Sequence, residues 1–341
     1  MNPVDALREI GFLLERGRSE THRVKAYRRA ADIVAALDPE ERARHAEADD
    51  WKKLGGIGPK TALVISQASA GRVPDYLQQL RDEKVPLATG GDRLRSAIKG
   101  DLHVHSTWSD GGSPLEEMMI TARSLGHEYC AITDHSPRLT VARGLTAERL
   151  RQQLQITRDL DAAMAPFRVL QGIEVDILDD GGLDCDDDVL ERLDVVVASV
   201  HSKLTMDAPS MTRRMLAAVR NPRVNILGHC TGRKVAGEPP TQKVIRPQSK
   251  FDARAVFAAC AETGTAVEMN CRPERQDPPG DLIDLALTAG CWFSLDTDAH
   301  SPGHLEFVNL GCDRATHAGI PAELIITTKT ADDLLDWATA S

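Results

Sequence analysis

The 341-residue chain has no Cys-x-x-Cys pair among its seven cysteines, no low-complexity tract and no short internal repeat. An odd, scattered set of cysteines argues against a disulfide framework or a zinc ribbon. Long apolar runs are missing too. Stretches such as Val195-Val196-Val197-Ala198 are strand-sized, far short of a membrane span. The opening Met-Asn-Pro-Val-Asp-Ala-Leu-Arg-Glu-Ile lacks the basic head and apolar stretch of a signal peptide. What is present is 42% apolar and 27% charged residues, enough to bury a full core. The length suits two or three domains, or one large barrel with a smaller companion. These features predict a soluble cytoplasmic protein without membrane partners.

The net charge of −10 hides a split. Residues 1–100 hold 18 Lys/Arg against 15 Asp/Glu, and residues 101–341 hold 23 against 36. An acidic second part does not attract nucleic acid as a whole, although most of its acids simply solvate a surface. It suits a site full of metal cations, whose charge a side-chain count omits.

The first ~90 residues read as helices. Asn2-Pro3 offers a helix start, and Ile10, Leu13 and Leu14 fall on one helical face. A second helix near Thr21–Leu37 places Val24, Tyr27, Ala31 and Val34 on one stripe, carries Arg23, Lys25, Arg28 and Arg29, and ends at Asp38-Pro39. The run Gly55-Gly56-Ile57-Gly58-Pro59-Lys60 then opens another apolar helix. Glycines permit a tight turn and close backbone approach, so amides at the following helix start can face a phosphate. The Gly-Ile-Gly turn resembles a helix-hairpin-helix motif, which grips a DNA backbone without reading bases. On that resemblance Gly56, Gly58, Lys60, Arg23 and Tyr27 are the expected DNA contacts. A stretch near Pro86–Lys99, with Gly90-Gly91, reads as a linker, and the domain boundaries expected are 1–90 for this helical part, 91–100 for the linker and 101–341 for a barrel.

From residue 101 short β-rich runs alternate with helical ones: Leu102–His105, Tyr129–Thr133, Val169–Ile173, Asp194–Val200, Val224–Leu227, Thr265–Met269 and Trp292–Leu295. Such alternation predicts an α/β fold with a parallel sheet long enough to close into a barrel. The strand ends carry the chemistry. His103 and His105 lie at the first, followed by Asp110; His135 follows the second. Glu174, His201 and His229 end the next three, Asn270 the sixth, and Asp298 and His300 follow the seventh. In a parallel barrel those ends share one face. A lone strand-end His is usually a structural hydrogen-bonder. Nine imidazoles and carboxylates converging together would be costly without cations among them. They exceed the three or four ligands of one catalytic zinc and suffice for two or three ions. A His-rich, sulfur-free set suits Zn²⁺, Mn²⁺ or Fe²⁺; Cys230 and Cys271 are read as packing residues.

Taken in order, His-x-His…Ser-Asp-Gly, Thr-Asp-His-Ser, Gly-Ile-Glu-Val-Asp-Ile-Leu, Ala-Ser-Val-His-Ser, Gly-His-x-Thr-Gly-Arg, Glu-Met-Asn and Asp-Thr-Asp-Ala-His-Ser resemble a PHP (polymerase and histidinol phosphatase) domain. The likeness is greatest to the PHP domain of bacterial family X DNA polymerases, and the N-terminal part, through the run Arg23–Ala31 and the Gly-Ile-Gly hairpin, resembles the small 8-kDa domain of those polymerases. The resemblance implies a distorted (β/α)7 TIM-like barrel with a three-metal site. His103, His105, Glu174 and Asp298 would hold one metal, Glu174, His201 and His229 a second, and Asp110, His135 and His300 the third. Two departures matter. Only about 30 residues separate the hairpin from the barrel, so no polymerase palm fits between them and no polymerase activity is expected. Val64 also stands where lyase-active relatives use a Schiff-base lysine.

The expected chemistry is metal-assisted hydrolysis of a phosphate ester. The residues expected to act directly are Glu174, Asp298, His300, Arg143, Lys203 and Arg275. Arg143, Lys203, Arg233 and Arg275 are the candidate phosphate contacts. One reading is a DNA-end enzyme (3′-phosphatase, 3′–5′ exonuclease or abasic-site nuclease). A second is a small-molecule phosphatase acting on histidinol phosphate or a nucleotide. A third is a non-catalytic DNA-binding repair accessory.

Overall fold

The computed structural model describes residues 1–237 and 241–340. Two compact units divide at Pro86/Leu87.

The N-terminal unit is helical: α1 Pro3–Arg16, α2 Thr21–Ala36, α3 Pro39–Ala48, α4 Pro59–Ser69 and α5 Asp75–Asp82. Asn2 caps α1, its side chain accepting from the Val4 N–H at 2.9 Å with Pro3 in the first turn. Ile10 and Leu14 of α1, and Tyr27, Ala31 and Val34 of α2, meet in one core with Trp51, Ile65 and Leu77. Asp38-Pro39 ends α2 as expected and also starts α3, because Asp38 accepts from the Glu41 N–H (2.8 Å) and proline fits the first helical turn. α3 contributes no buried residue, so no apolar stripe announces it.

Residues 91–100 are not a linker. Asp92–Ala97 form helix α6, and Leu94 and Ile98 are buried in the second unit's core. At six residues the helix is too short to show a periodic pattern. The unit boundary therefore falls before Leu87.

The second unit is built on seven parallel strands: β1 Gly100–Val104, β2 Tyr129–Ile132, β3 Arg168–Asp176, β4 Val195–Ser199, β5 Ile226–Leu227, β8 Ala266–Asn270 and β9 Phe293–Asp296. They pair in the order β1-β2-β3-β4-β5-β8-β9. A separate antiparallel hairpin, β6 Lys234–Ala236 with β7 Lys243–Arg246, intervenes in sequence. β9 and β1 do not pair as a ladder. The gap is bridged by Val104–Ala299 and by the Leu102 N–H donating to the Asp296 carboxylate at 2.9 Å. The result is a nearly closed α/β barrel whose strands are buried on both faces, as their near-continuous apolar runs require. All strand C-termini open to one end.

Candidate metal centre

His103, on β1, and His105, just past its end, are two residues apart, point the same way and are fully buried. Their rings lie 5.1 Å apart between centroids. His105 also lies 4.5 Å from His135 and 4.3 Å from His300, and the His201 ring is 5.2 Å from both His135 and His229. The barrel thus gathers the six strand-end imidazoles into one cluster.

Glu174, on β3, sits at its centre. Its Oε1 is 2.8 Å from His229 Nε2 and 3.1 Å from His201 Nε2. Its Oε2 is 2.8 Å from His135 Nδ1, 3.3 Å from His103 Nε2 and 3.6 Å from His105 Nε2. Asp298 Oδ1 stands 3.4 Å from both His105 Nε2 and His300 Nδ1. Asp110 Oδ1 stands 3.5 Å from His135 Nε2 and 3.4 Å from His300 Nε2. Asp298 holds its place with a left-handed backbone (φ 50°), a conformation that costs energy in a non-glycine residue and recurs at functional sites.

Three sets have ligand atoms within 4.8 Å of one another: His103/His105/Asp298, His105/Asp110/His135/His300 and His135/Glu174/His201. The first holds three of the four residues expected around one metal, without Glu174, and the second holds the expected Asp110, His135 and His300 with His105 added. In the third, His135 stands where His229 was expected, and His229 lies against Glu174 Oε1 instead.

The donors fit divalent cations. His103 Nε2, both ring nitrogens of His105 and His201 Nε2 are buried without a hydrogen-bond partner among the described residues, a costly arrangement unless a ligand takes up those lone pairs. The electrostatics agree. Burial disfavours a charged His103, yet Glu268 and Glu174 hold its pKa well above the usual value. Burial likewise opposes His201, which Glu174 and Asp176 lift to about 9. Burial and the neighbouring His300 and His135 push His105 well down. Burial raises Glu174 while His201, His103 and His135 bring it well below the ordinary range.

A second layer supports the first. Glu268 Oε1 lies 2.5 Å from His103 Nδ1, and Asp176 Oδ1 lies 3.4 Å from His201 Nδ1. Asn270 Nδ2 donates to Asp298 Oδ2 at 3.0 Å, and Arg275 Nε to the same oxygen at 2.7 Å. Glu268 and Asp176 escaped the sequence reading. The available signal was strand parity: each is two residues from a site residue, Asn270 and Glu174, and so shares its face. Cys230 and Cys271 are buried and belong to none of the three sets.

A cavity of about 400 Å³ opens on Asp110, His135, His201 and His300. Its cations are Arg275, as expected, with Arg272, Lys234 and Arg246. Arg143, Lys203 and Arg233 are not in its wall. Arg143 is exposed and donates to the Thr107 carbonyl (3.3 Å). Lys203 is 63% exposed and paired with Asp179 at 2.6 Å. Arg233 directly precedes β6, and its backbone N–H donates to the Thr231 hydroxyl oxygen at 3.2 Å.

In the N-terminal unit, Arg23, Tyr27, Gly56, Gly58 and Lys60 line one groove of about 690 Å³, together with Val64 and Tyr76. Tyr27 stacks on Tyr76 (5.7 Å between centroids), and Arg23 Nη2 donates to the Tyr76 hydroxyl at 2.6 Å. Burial, with Tyr76 adding and Arg23 subtracting, pushes the Tyr27 phenol up to about 12. Gly56 has φ 102°, and a Cβ there would run into the side chains of Arg29 and Ile33.

Comparison with known proteins places both units. Residues 2–71 match the helix-hairpin-helix domain and residues 101–270 the PHP domain. The chain carries a PHP domain. It is 38% identical over 237 residues to the DNA polymerase/3'-5' exonuclease PolX of Bacillus subtilis (strain 168), covering 70% of this chain and 40% of that protein's length. A protein named "Probable phosphatase" from Syntrophotalea carbinolica is 27% identical over 256 residues, 72% of this chain and 98% of the relative. The crystal structure of histidinol phosphate phosphatase from Lactococcus lactis, complexed with Zn, L-histidinol and phosphate, covers 66% of this chain and 95% of its own, at TM-score 0.46 and 17% identity. The PHP domain and the phosphatase relatives agree on a metal-dependent phosphoesterase. No helix among the described residues is long and apolar enough to cross a membrane.

Proposed function

We propose that this chain hydrolyses phosphate esters at DNA ends during repair, as a 3′-phosphatase, 3′–5′ exonuclease or abasic-site nuclease, with the N-terminal unit holding the DNA. One observation carries the reading. The same chain has a nine-residue cluster, six of its members buried, opening on a cavity and a groove where a basic helix and the Gly-Ile-Gly turn meet. The expected ligands are His103, His105, Asp110, His135, Glu174, His201, His229, Asp298 and His300, holding two or three ions of Zn²⁺, Mn²⁺ or Fe²⁺.

Bound there, divalent ions supply Lewis acidity toward water and phosphoryl oxygens. The chain's own residues set the stage. Arg275 and Arg272 lie beside Asp298 (2.7 and 3.6 Å) and, after the opposing effect of burial, hold its carboxyl ionised. Glu268 and Asp176 orient His103 and His201. In the groove, Lys60 and Arg23 offer positive charge to a DNA backbone, and Tyr27 with Tyr76 offers a stacking face. Val64 supplies no amine for a lyase step.

A second reading, a small-molecule phosphatase acting on histidinol phosphate or a nucleotide, is favoured by the cavity's size, which suits a compact ester. Turnover of a 3′-phosphorylated gapped duplex and of histidinol phosphate separates the two, measured for the wild type and an Arg23→Glu/Lys60→Glu variant. Selective loss of the DNA reaction in the variant supports the first reading. Equal rates in both proteins, with histidinol phosphate the better substrate, replace it with the second.

A further inference from the structure

Two cations in the cavity wall, Lys234 and Arg246, form no salt bridge among the described residues, although Glu274 and Asp277 act on them from a distance. They face each other across the β6–β7 hairpin as a register pair. Arg246 spends its Nε on the Gly232 carbonyl, and its terminal nitrogens make no ion pair among the described residues. Arg272 and Arg275 differ, because both lean on Asp298 and so belong to the metal cluster's own electrostatics. Burial lowers the Lys234 ammonium's pKa, and Arg275, Arg246 and Arg272 lower it further. Four cations line this cavity against one carboxylate, Asp110, among its described lining residues, so the wall carries an excess of positive charge. Leu139 and Val141 line the same cavity, and Val141 is 90% exposed, which gives an apolar surface beside the cationic one.

A monoester brings one phosphate, which the metal cluster and its two arginines already attract. A nucleic-acid strand brings another charge with each nucleotide. We propose that Lys234 and Arg246 form a second phosphate subsite, which takes the phosphodiester adjoining the scissile group and makes an oligonucleotide end the preferred substrate. This rests on the DNA-end reading above. The hairpin then sets specificity by charge, and Leu139 and Val141 receive the sugar and base between the two phosphates.

The test is steady-state kinetics of the full-length, Mn²⁺-loaded protein on thymidine 3′-monophosphate and on a short oligothymidylate bearing a 3′-phosphate. The quantity read is the ratio of kcat/KM for the oligonucleotide to that for the mononucleotide. In the wild type the ratio exceeds ten. Lys234→Gln/Arg246→Gln lowers it at least tenfold through KM, the scale of a lost charge-assisted contact. It also makes the salt dependence for the oligonucleotide shallower by about 0.7 in log–log slope, one phosphate on a single strand. Arg246→Lys, which keeps the charge, keeps most of the preference. A ratio unchanged in the double variant overturns the subsite while leaving the DNA-end reading standing. A wild type that cleaves the mononucleotide and spares the oligonucleotide overturns that reading itself.

Discussion

Glu268 Oε1 lies 2.5 Å from His103 Nδ1, on the side of the ring away from Glu174. The pairing fixes the His103 tautomer and turns Nε2 toward the cluster. Second partners of this type typically matter 10–100-fold for metal affinity. Glu268 Oε2 also accepts from the His229 N–H, so one carboxylate braces two ligand candidates. Glu268→Gln is expected to weaken Zn²⁺ or Mn²⁺ binding by about tenfold or more while the fold persists. Metal titration with circular dichroism as a fold control checks this. Unchanged affinity would place Glu268 outside the metal machinery.

The pH dependence of metal binding follows from His201. Glu174 and Asp176 lift its pKa to about 9 against the effect of burial, so the metal-free protein holds a proton there at neutral pH. An incoming ion must displace that proton. Apparent affinity should therefore rise with pH toward about 9 and then level. Asp176→Asn removes one source of the shift and should flatten the rise. Calorimetric titrations with Mn²⁺ at pH 6.5, 7.5 and 8.5, in buffers of differing ionisation enthalpy, measure affinity and proton release together. Affinity that is flat across that range would contradict the assignment.

Much of this was legible because the chemistry coincides with regular structure. Glu174, His201 and His229 stand at or just past the C-terminal ends of successive parallel strands, so topology alone brings them together. The β6–β7 hairpin was not legible. Val244 and Ile245 are exposed, so no core face marks the strand, and Lys234 and Arg246 meet only once the chain folds back. Arg143 and Lys203 stand close to motifs only in sequence. Both have left-handed backbone (φ 58° and 51°) and sit in turns, where sequence neighbours need not share a direction. Helix α6 was hidden by Gly90-Gly91. Gly91 instead packs its bare Cα against the backbone of Cys312 and Asp313.

Gly144 supports the cavity rim through close approach. A Cβ there would fall 1.8 Å from the Ser136 carbonyl oxygen, a backbone atom that no rotamer change can move. Ser136 follows His135, and the Leu145 N–H donates to the His135 carbonyl at 2.7 Å. Gly144→Ala should displace His135 and the segment Leu139–Ala142 together. It should lower the melting temperature by several degrees, about the effect of 1–3 kcal/mol of overpacking, and reduce phosphoesterase activity. Differential scanning fluorimetry and a p-nitrophenyl phosphate assay report the two effects. A variant with wild-type melting and turnover would show that the contact is slack.

Acid should find a weak point outside the metal centre, at His127. Both ring nitrogens are buried without a hydrogen-bond partner among the described residues. Burial, with Arg95 nearby, pushes the pKa down to about 3. The folded state therefore prefers the neutral ring, while an unfolded chain protonates it near 6.5. For a depressed folded pKa, the stabilisation is complete above about 6.5 and is lost as pH falls toward 3. Near pH 4 the loss reaches about 3 kcal/mol. His127→Leu should be close to the wild type at pH 7.5 and should melt higher than it at pH 4. Melting curves of both proteins in chelator, which removes any contribution from metal release, isolate the effect. A gap between pH 7.5 and pH 4 that is as wide in His127→Leu as in the wild type would locate the acid sensitivity elsewhere.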